Sequence, residues 1–340
     1  IAGLTLRVNA GLDHANVDRK TYQPRKITTK ELRYTNRLTM TNEISTNSAK
    51  AWWLAARPKT LTAAAMPVLI GCAIALTADS FQWTPAILCL LFAFLMQIDA
   101  NLINDLFDYK KGSDRQDRLG PERACAQGWI TIPAMQRGIL ITTTAACLFG
   151  LGLLFYGGWE LIMVGLLCVL FAFLYTAGPY PLAYHGWGDL LVLLFFGFIP
   201  VGCTYYVMCH NWTFEVTIAS LSCGMVIDTL LMVNNFRDRE QDATSGKQTL
   251  VVRFGSYVGQ QLYLWLGIVA VLLNLLMIGF GQLWAAILPL LYLPLHIHTW
   301  RSMVKIDHGK ELNRILGLTS RNMLLYAILF TIGSMIVKFV

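Results

Sequence analysis

The chain has 340 residues, 55% of them hydrophobic and only 14% charged, with a mean hydropathy of +0.51. Soluble proteins carry about 25% charged residues, so the balance excludes a water-soluble globular protein and points to an all-α polytopic membrane protein set in a lipid bilayer. The net charge of +7 is uneven: residues 1–50 hold nine Lys or Arg against four Asp or Glu, leaving +2 for the rest. Lys- and Arg-rich loops on one membrane face account for that excess, which argues for no nucleic acid partner.

Residues 1–50 are polar and lack both hydrophobic periodicity and the apolar core of a secretory signal. They are expected to form a disordered N-terminal extension. The chain starts at Ile1, and Met40 stands shortly before Trp52-Trp53. Translation is therefore expected to begin at Met40, with 1–39 an over-extended gene reading; the alternative is a disordered cytoplasmic tail. Residues 51–340 form the membrane domain.

Nine apolar stretches follow, near 61–78, 84–104, 133–156, 159–177, 189–208, 215–235, 257–279, 283–300 and 321–339, each close to the ~20 residues that span a bilayer. Only helices satisfy their backbone polar groups within such spans, so nine transmembrane helices are expected. Loops 105–128, 236–256 and 301–320 carry the Lys and Arg, whereas 79–83, 157–158, 209–214 and 280–282 carry none. The positive-inside rule then places the N-terminus and the basic loops in the cytoplasm, as for a protein of the cell inner membrane.

The second and sixth stretches end in acids. On the second, Gln97, Asn101, Asn104 or Asp105, and Asp108 recur at i, i+4, i+7 and i+11, a polar stripe on an apolar helix. Asp114 follows beyond Gly112. On the sixth, Asn235, Asp238 and Asp242 recur at i, i+3 and i+7 beside Asn234. Carboxylates at the mouth of a membrane helix are costly unless they bind something. Hard oxygen donors at these spacings suit Mg²⁺, which takes a few carboxylates plus water and phosphate oxygens. The bland alternative is a pair of solvated helix ends, which the matching Asn-acid-Gly-basic order on one membrane face disfavours. The two positions also suit an internal duplication.

Basic side chains interleave with the acids: Lys110, Lys111, Arg115, Arg118 and Arg123 on one side, Arg237, Arg239 and Lys247 on the other. A diphosphate leaving group needs such donors. Arg123 and Lys247 stand out because each follows a Gly-containing turn. Residues 175–181, Tyr-Thr-Ala-Gly-Pro-Tyr-Pro, hold too much Gly and Pro for a helix and form a turn between the fourth and fifth spans. Tyr175 and Tyr180 are candidates to line a pocket for a cation or an aromatic ring; an interfacial aromatic belt is the alternative. The eight cysteines contain no C-x-x-C and lie mostly in apolar stretches, so they are expected as small core residues. His296 and His298, two apart, are expected at the membrane interface rather than on a metal.

These motifs resemble the UbiA superfamily of intramembrane prenyltransferases. The resemblance lies in Asn104-Asp105-x-x-Asp108 with Asp114, and Asp238-x-x-x-Asp242. Arg57-Pro-Lys-Thr60, Leu119-Gly-Pro-Glu-Arg123, Tyr175-Thr-Ala-Gly-Pro-Tyr180, Asn234-Asn-Phe-Arg-Asp238 and Gly246-Lys-Gln-Thr narrow it to the 1,4-dihydroxy-2-naphthoate polyprenyltransferase branch, which serves menaquinone biosynthesis. It runs from about Trp52 to the C-terminus. It implies nine helices around a central cavity capped by the aspartate motifs. It also implies a polyprenyl diphosphate bound through Mg²⁺ to Asp105, Asp108, Asp238 and Asp242, helped by Asn101, Asn104 and Asn235. Arg237 and Lys111 are expected to contact the same group. Asp114 has a longer spacing, for which a base or loop role is as plausible. Asp99 and Asp228 are extra acids inside the helices. Asp228, two turns before Asn235, is expected on the cavity face; both acids have the alternative of hydrogen bonding within the bundle.

The expected reaction is transfer of the polyprenyl group to 1,4-dihydroxy-2-naphthoate with loss of CO₂. A sister enzyme using 4-hydroxybenzoate, homogentisate or haem is the nearest alternative. A cation-coupled transporter would carry its acids near the membrane midplane in broken helices. A CDP-alcohol phosphotransferase would show an Asp-Gly-x-x-Ala-Arg run, and the sequence has none.

Overall fold

The computed structural model describes residues 44–113 and 118–339. The expectations about residues 1–39, Met40 and Asp114 lie outside them. The described part begins before residue 51: Ile44 packs into a core cluster, and Asn47 donates its N–H to Trp129 O at 2.7 Å.

The described part opens with a short helix, Ala49–Ala56, capped by Ser48, whose hydroxyl accepts from the Ala51 N–H. Arg57 then takes a left-handed conformation at φ 52° and turns the chain into the membrane. The helices that follow are α1 (Leu61–Thr77), α2 (Trp83–Lys110), α3 (Ile132–Gly157), α4 (Leu161–Thr176), α5 (Gly188–Cys209), α6 (Phe214–Thr244), α7 (Ser256–Phe280), α8 (Leu283–Ile306) and α9 (Leu312–Phe339). Among the described residues, eight helical spans are long and apolar enough to cross a membrane, the first including the short entry helix, and α4 is a shorter apolar helix. The nine expected spans each find a helix. Their ends differ from expectation: α6 continues from 235 to Thr244, and α9 starts at Leu312 rather than near 321. Charged residues end an apolar run without ending a helix; the breaker is Gly246 at φ 77°.

Helix α6 is the centre of the bundle, 72% of its most apolar window being buried against 17% for α3. It packs on α1, α5, α7 and α9, while α2 packs on α1, α3 and α4. Glycines set the closest approach. A Cβ on Gly197 of α5 would lie 2.5 Å from Ser220 O and 3.0 Å from Gly224 Cα of α6, so the two backbones meet as small residues permit in membrane helices. Just beyond, Leu193–Phe198 is a π-helical turn followed by Pro200. Proline lacks the N–H that would bond Phe196 O, and the Cys223 thiol of α6 donates to that carbonyl at 3.7 Å. The bulge carries Phe195, Phe196 and Pro200 into a cavity wall.

Each acid-bearing helix end has its own apolar mount. Leu102, Ile103 and Leu106 of α2 pack with Ala124, Ile130 and Met135. Met232, Val233 and Phe236 of α6 pack with Val251, Tyr263, Met303 and Leu312. His296 departs from its expected interfacial position: it is fully buried, stacked between Tyr263 and Tyr292, and bonded to Tyr292 Oη at 2.9 Å and Leu264 O at 3.1 Å. A spacing of two residues points side chains about 200° apart on a helix, so His298 alone is exposed. All eight cysteines are free, as expected, though Cys147 is exposed.

Candidate active site

Between α1, α2, α3, α4, α5 and α6 lies a cavity of about 550 Å³, apolar except at one end. That end is rimmed by Arg57, Thr60, Gln97, Asn101, Asn104, Tyr175 and Asn234. The polar stripe read on α2 forms part of this rim because its residues return every turn. Asn101 is held there by donating to Ala56 O at 3.1 Å and Thr60 Oγ1 at 3.0 Å. Asn104 accepts from the Thr176 hydroxyl at 2.9 Å. The entry-helix turn and the end of α4 thus fix the two asparagines from outside.

The acids sit on the same helix ends. Asp105 is 1% exposed, and its carboxylate accepts the backbone N–H groups of Ala124 at 2.8 Å and Cys125 at 3.0 Å. It therefore clamps the segment that bears Arg123. A carboxylate offers about four acceptor sites, so each oxygen keeps one lone pair. Arg123 in turn reaches Asp108 at 3.5 Å. On α6, Asp238 pairs bidentately with Arg237, Nε to Oδ1 at 2.7 Å and Nη2 to Oδ2 at 2.6 Å. Arg237 also donates to Asn313 Oδ1 at 2.9 Å, and Asn313 donates to Leu119 O at 2.8 Å. The start of α9 thus ties the second cluster to the loop of the first. Asp242 is buried, with Lys247 at 3.6 Å and its Oδ2 without a hydrogen-bond partner. Asn235 is buried beside them.

Tyr184, which sequence reasoning missed, joins the halves. It follows Gly178-Pro-Tyr-Pro in a 3₁₀ turn, Leu182–His185. Its hydroxyl donates to Asp108 Oδ1 at 3.0 Å and contacts Ser113 Oγ at 2.7 Å. Its ring carries Lys111 at 4.7 Å and Lys247 at 6.0 Å, a cation–π arrangement that gathers two ammonium groups beside the acids. Lys111 also donates to Thr176 O; partial burial lowers its ammonium below the usual lysine range while the Asp108 charge pulls it back up. Nothing in the spacing marks Tyr184, because only the fold brings it to α2.

Two expected site residues, Tyr180 and Asp228, lie elsewhere, and so does Asp99, the other acid inside the helices. Tyr180 is 55% exposed and stacks on His185 at 3.5 Å, whereas Tyr175 lines the cavity. Asp228 is buried outside the cavity wall, which takes its neighbours Ile227 and Leu231 instead. Its carboxylate interacts electrostatically with that of Asp189, and each keeps one buried oxygen without a hydrogen bond. Asp99 accepts from Thr142 at 2.6 Å and Thr143 at 2.7 Å across the α2–α3 seam.

The donor set is compatible with Mg²⁺ in one way. Among the described residues no three acidic, His or Cys side chains form a ready metal cage. Mg²⁺ is commonly held by one or two carboxylates plus substrate phosphates and water, and the buried, unpartnered Asp242 oxygen is a hard donor waiting for a partner. The arrangement is an apolar chamber whose polar end presents Arg57, hydroxyl and amide groups, with Asp105 and Asp108 following Asn101 and Asn104 on α2 and Asp238 and Asp242 following Asn234 on α6.

The UbiA prenyltransferase family model matches residues 64–333. A Haemophilus influenzae 1,4-dihydroxy-2-naphthoate octaprenyltransferase is 35% identical, covering 84% of this chain and 96% of its own length. The Escherichia coli protein of the same name is 34% identical over 84% and 94%. Among solved structures, a UbiA homolog from Aeropyrum pernix aligns with TM-score 0.61 at 14% identity, covering 81% of this chain and 97% of that one. A UbiA homolog from Archaeoglobus fulgidus bound to GPP and Mg²⁺ aligns with TM-score 0.57 at 16% identity, over 85% and 100%. By sequence motif, bundle and site, and by these relationships, the chain belongs to the UbiA prenyltransferase family.

Proposed function

We propose that the chain transfers a polyprenyl group from an allylic diphosphate to 1,4-dihydroxy-2-naphthoate with release of CO₂ and diphosphate, giving the prenylated naphthohydroquinone, demethylmenaquinol. The observation that carries this reading is the linkage of the α2 and α6 acid-bearing ends through Tyr184 and through Arg237 and Asn313, on the two helices whose Asn101, Asn104 and Asn234 line the polar end of one apolar cavity. The names of the relatives favour a naphthoate acceptor and a long, octaprenyl-type donor. The placement of the motif acids argues against a carrier: all four aspartates lie near the ends of α2 and α6.

In this reading Asp105, Asp108, Asp238 and Asp242 would hold Mg²⁺, which when bound supplies positive charge to the diphosphate. Arg123, Lys111 and Lys247 face the same group and neutralise the charge that collects on it as the allylic C–O bond loosens. Arg237 keeps Asp238 in place. Below the rim, Phe171 and Phe195 pair at 5.2 Å in the cavity wall, where ring faces favour a developing allylic cation. The apolar wall keeps water from that cation. The naphthoate ring carbon that bears the carboxylate attacks, and the carboxylate departs as CO₂ while the new C–C bond forms. The Lys- and Arg-rich loops support a cytoplasmic acid-bearing end, in a bundle that this reading assigns to the cell inner membrane.

The test is a membrane assay offering octaprenyl diphosphate with 1,4-dihydroxy-2-naphthoate and 4-hydroxybenzoate in parallel. A prenylated naphthohydroquinone from the first acceptor alone, recovered as the quinone after oxidation in air, is expected. Product from 4-hydroxybenzoate alone would move the chain to a sister activity.

A further inference from the structure

Asp228 and Asp189 take no part in the chemistry proposed above, yet the helix seam brings them together. Helices α5 and α6 run antiparallel, joined by residues 210–213. A Cβ on Gly197 would lie 2.5 Å from Ser220 O, and one on Gly224 would lie 3.1 Å from Leu193 Cα. Steps of four residues along α5 thus match steps of four along α6 in the opposite direction. The next step in that register sets Asp189 opposite Asp228. The neighbouring contact agrees, since a Cβ on Gly188 would lie 3.3 Å from Leu231 Cδ2. The two carboxylates accordingly act on each other electrostatically.

Packing does not account for the pair. The other mid-helix acid, Asp99, accepts from two threonines. Asp228 is 2% exposed and keeps Oδ1 without a hydrogen bond, and Asp189 Oδ1 is orphaned likewise. The helices around them supply no cation: α1, α4, α5 and α7 contain no Lys, Arg or His, and α6 has none before Arg237. On α9, Arg314 and Arg321 are exposed, and Lys338 pairs with Asp79. Two buried carboxylates without a cation do not both stay charged. Asp189 lies in the first turn of α5, where the helix dipole favours negative charge, so the proton rests on Asp228. Tyr175 connects the pair to the chamber. It lines the cavity, a Cβ on Gly188 would lie 3.5 Å from its hydroxyl oxygen, and it interacts electrostatically with Asp189, Asp108, Asp228 and Asp242.

We propose that Asp228 and Asp189 share one proton and, through the Tyr175 hydroxyl, take up and return the ring-hydroxyl proton of the naphthoate acceptor. The inference rests on the acceptor reading above and adds to it a place for the proton. As the carboxylated ring carbon bonds to the allylic carbon, the allylic C–O pair leaves with the diphosphate. The O–H bond on the adjacent ring carbon breaks, and that oxygen becomes a ketone. Its proton passes to the Tyr175 oxygen while the tyrosine proton passes to the acid pair, which has one carboxylate free to accept it. The β-keto carboxylate then loses CO₂, its bonding pair forms the enolate, and the proton returns through Tyr175 to the same oxygen. Protons balance over the cycle. Tyr175 is the group that touches the acceptor, and the two acids act through it.

The test compares the full-length protein with Asp228→Asn, Tyr175→Phe and the double variant, all in liposomes. The infrared difference between unmodified protein and Asp228→Asn is expected to hold the C=O band of a protonated carboxyl, shifted in D₂O. A carboxylate band in its place overturns the shared proton, and this readout needs no turnover. With 1,4-dihydroxy-2-naphthoate and octaprenyl diphosphate, Asp228→Asn is expected to lower kcat by about 100-fold or more, the size of a lost acid–base group. The KM for octaprenyl diphosphate should stay unchanged, since the pair does not touch the donor. Groups acting as one unit are not additive, so the double variant should be no slower than the slower single variant. Losses that multiply in the double variant, or a raised KM with kcat kept, overturn the relay. Full turnover by Asp228→Asn overturns the relay alone. Refusal of the naphthoate by the unmodified protein overturns the proposed function and the relay with it.

Discussion

The four motif aspartates carry different loads, and that difference is testable one residue at a time. Asp105 bonds two backbone N–H groups and holds the Arg123 segment, whereas one oxygen of the buried Asp242 has no hydrogen-bond partner. Hydrogen bonds to charged groups contribute about 1.5–3 kcal/mol each. Asp105→Asn should therefore lose turnover and also lower the thermal unfolding midpoint in detergent. Asp242→Asn should lose turnover with the midpoint kept. Matching midpoints for the two variants would refute the clamp. Tyr184→Phe keeps the ring beneath Lys111 and Lys247 but removes the hydroxyl on Asp108. Outer partners of metal-holding groups are worth about 10–100-fold in metal affinity, so a shift of that order in the Mg²⁺ concentration for half-maximal turnover is expected. The aspartates and asparagines are expected from type and spacing on two helices, and Arg123 from the Gly-containing turn before it. Tyr184 and Asn313 were not, since each reaches the site across a loop or from another helix.

At the scale of the helices, hydropathy located nine elements and misplaced several ends. It stops α6 at the first charges, although no Gly or Pro interrupts the chain before Gly246; backbone propensity, not polarity, decides where a helix ends. It also gave the polar residues within the spans no direction. Asp99 and His296 fall on seams, where Thr142 with Thr143, and Tyr292, respectively, satisfy them. A buried polar group left unpaired costs about 1–3 kcal/mol. Thr142→Val with Thr143→Val should loosen the α2–α3 seam by about that amount per lost bond. A lower unfolding midpoint in detergent checks this, and the KM values of the surviving protein should stay unchanged. An unaltered midpoint would show that Asp99 contributes nothing at the seam.

For the whole molecule, the two acid-bearing helix ends, each on its own apolar mount, are joined by Arg237, Asn313 and Leu119 O. A central cavity was expected from the resemblance, but its shape was not legible, because it comes from which helix faces fail to meet. It depends on the π-turn before Pro200 and on the Gly197–Gly224 contact that draws α5 onto α6. What the sequence carried to this scale was chemistry, in acids, asparagines and cations ordered alike at two helix ends. The measurement that tests the account most directly uses carboxyl-labelled 1,4-dihydroxy-2-naphthoate and octaprenyl diphosphate with the purified protein in liposomes, following label release and prenylated product as Mg²⁺ is removed and restored. The account predicts equimolar CO₂ and product, both lost in EDTA and both regained with Mg²⁺. Product formed at full rate in EDTA, or without release of the label, would contradict it.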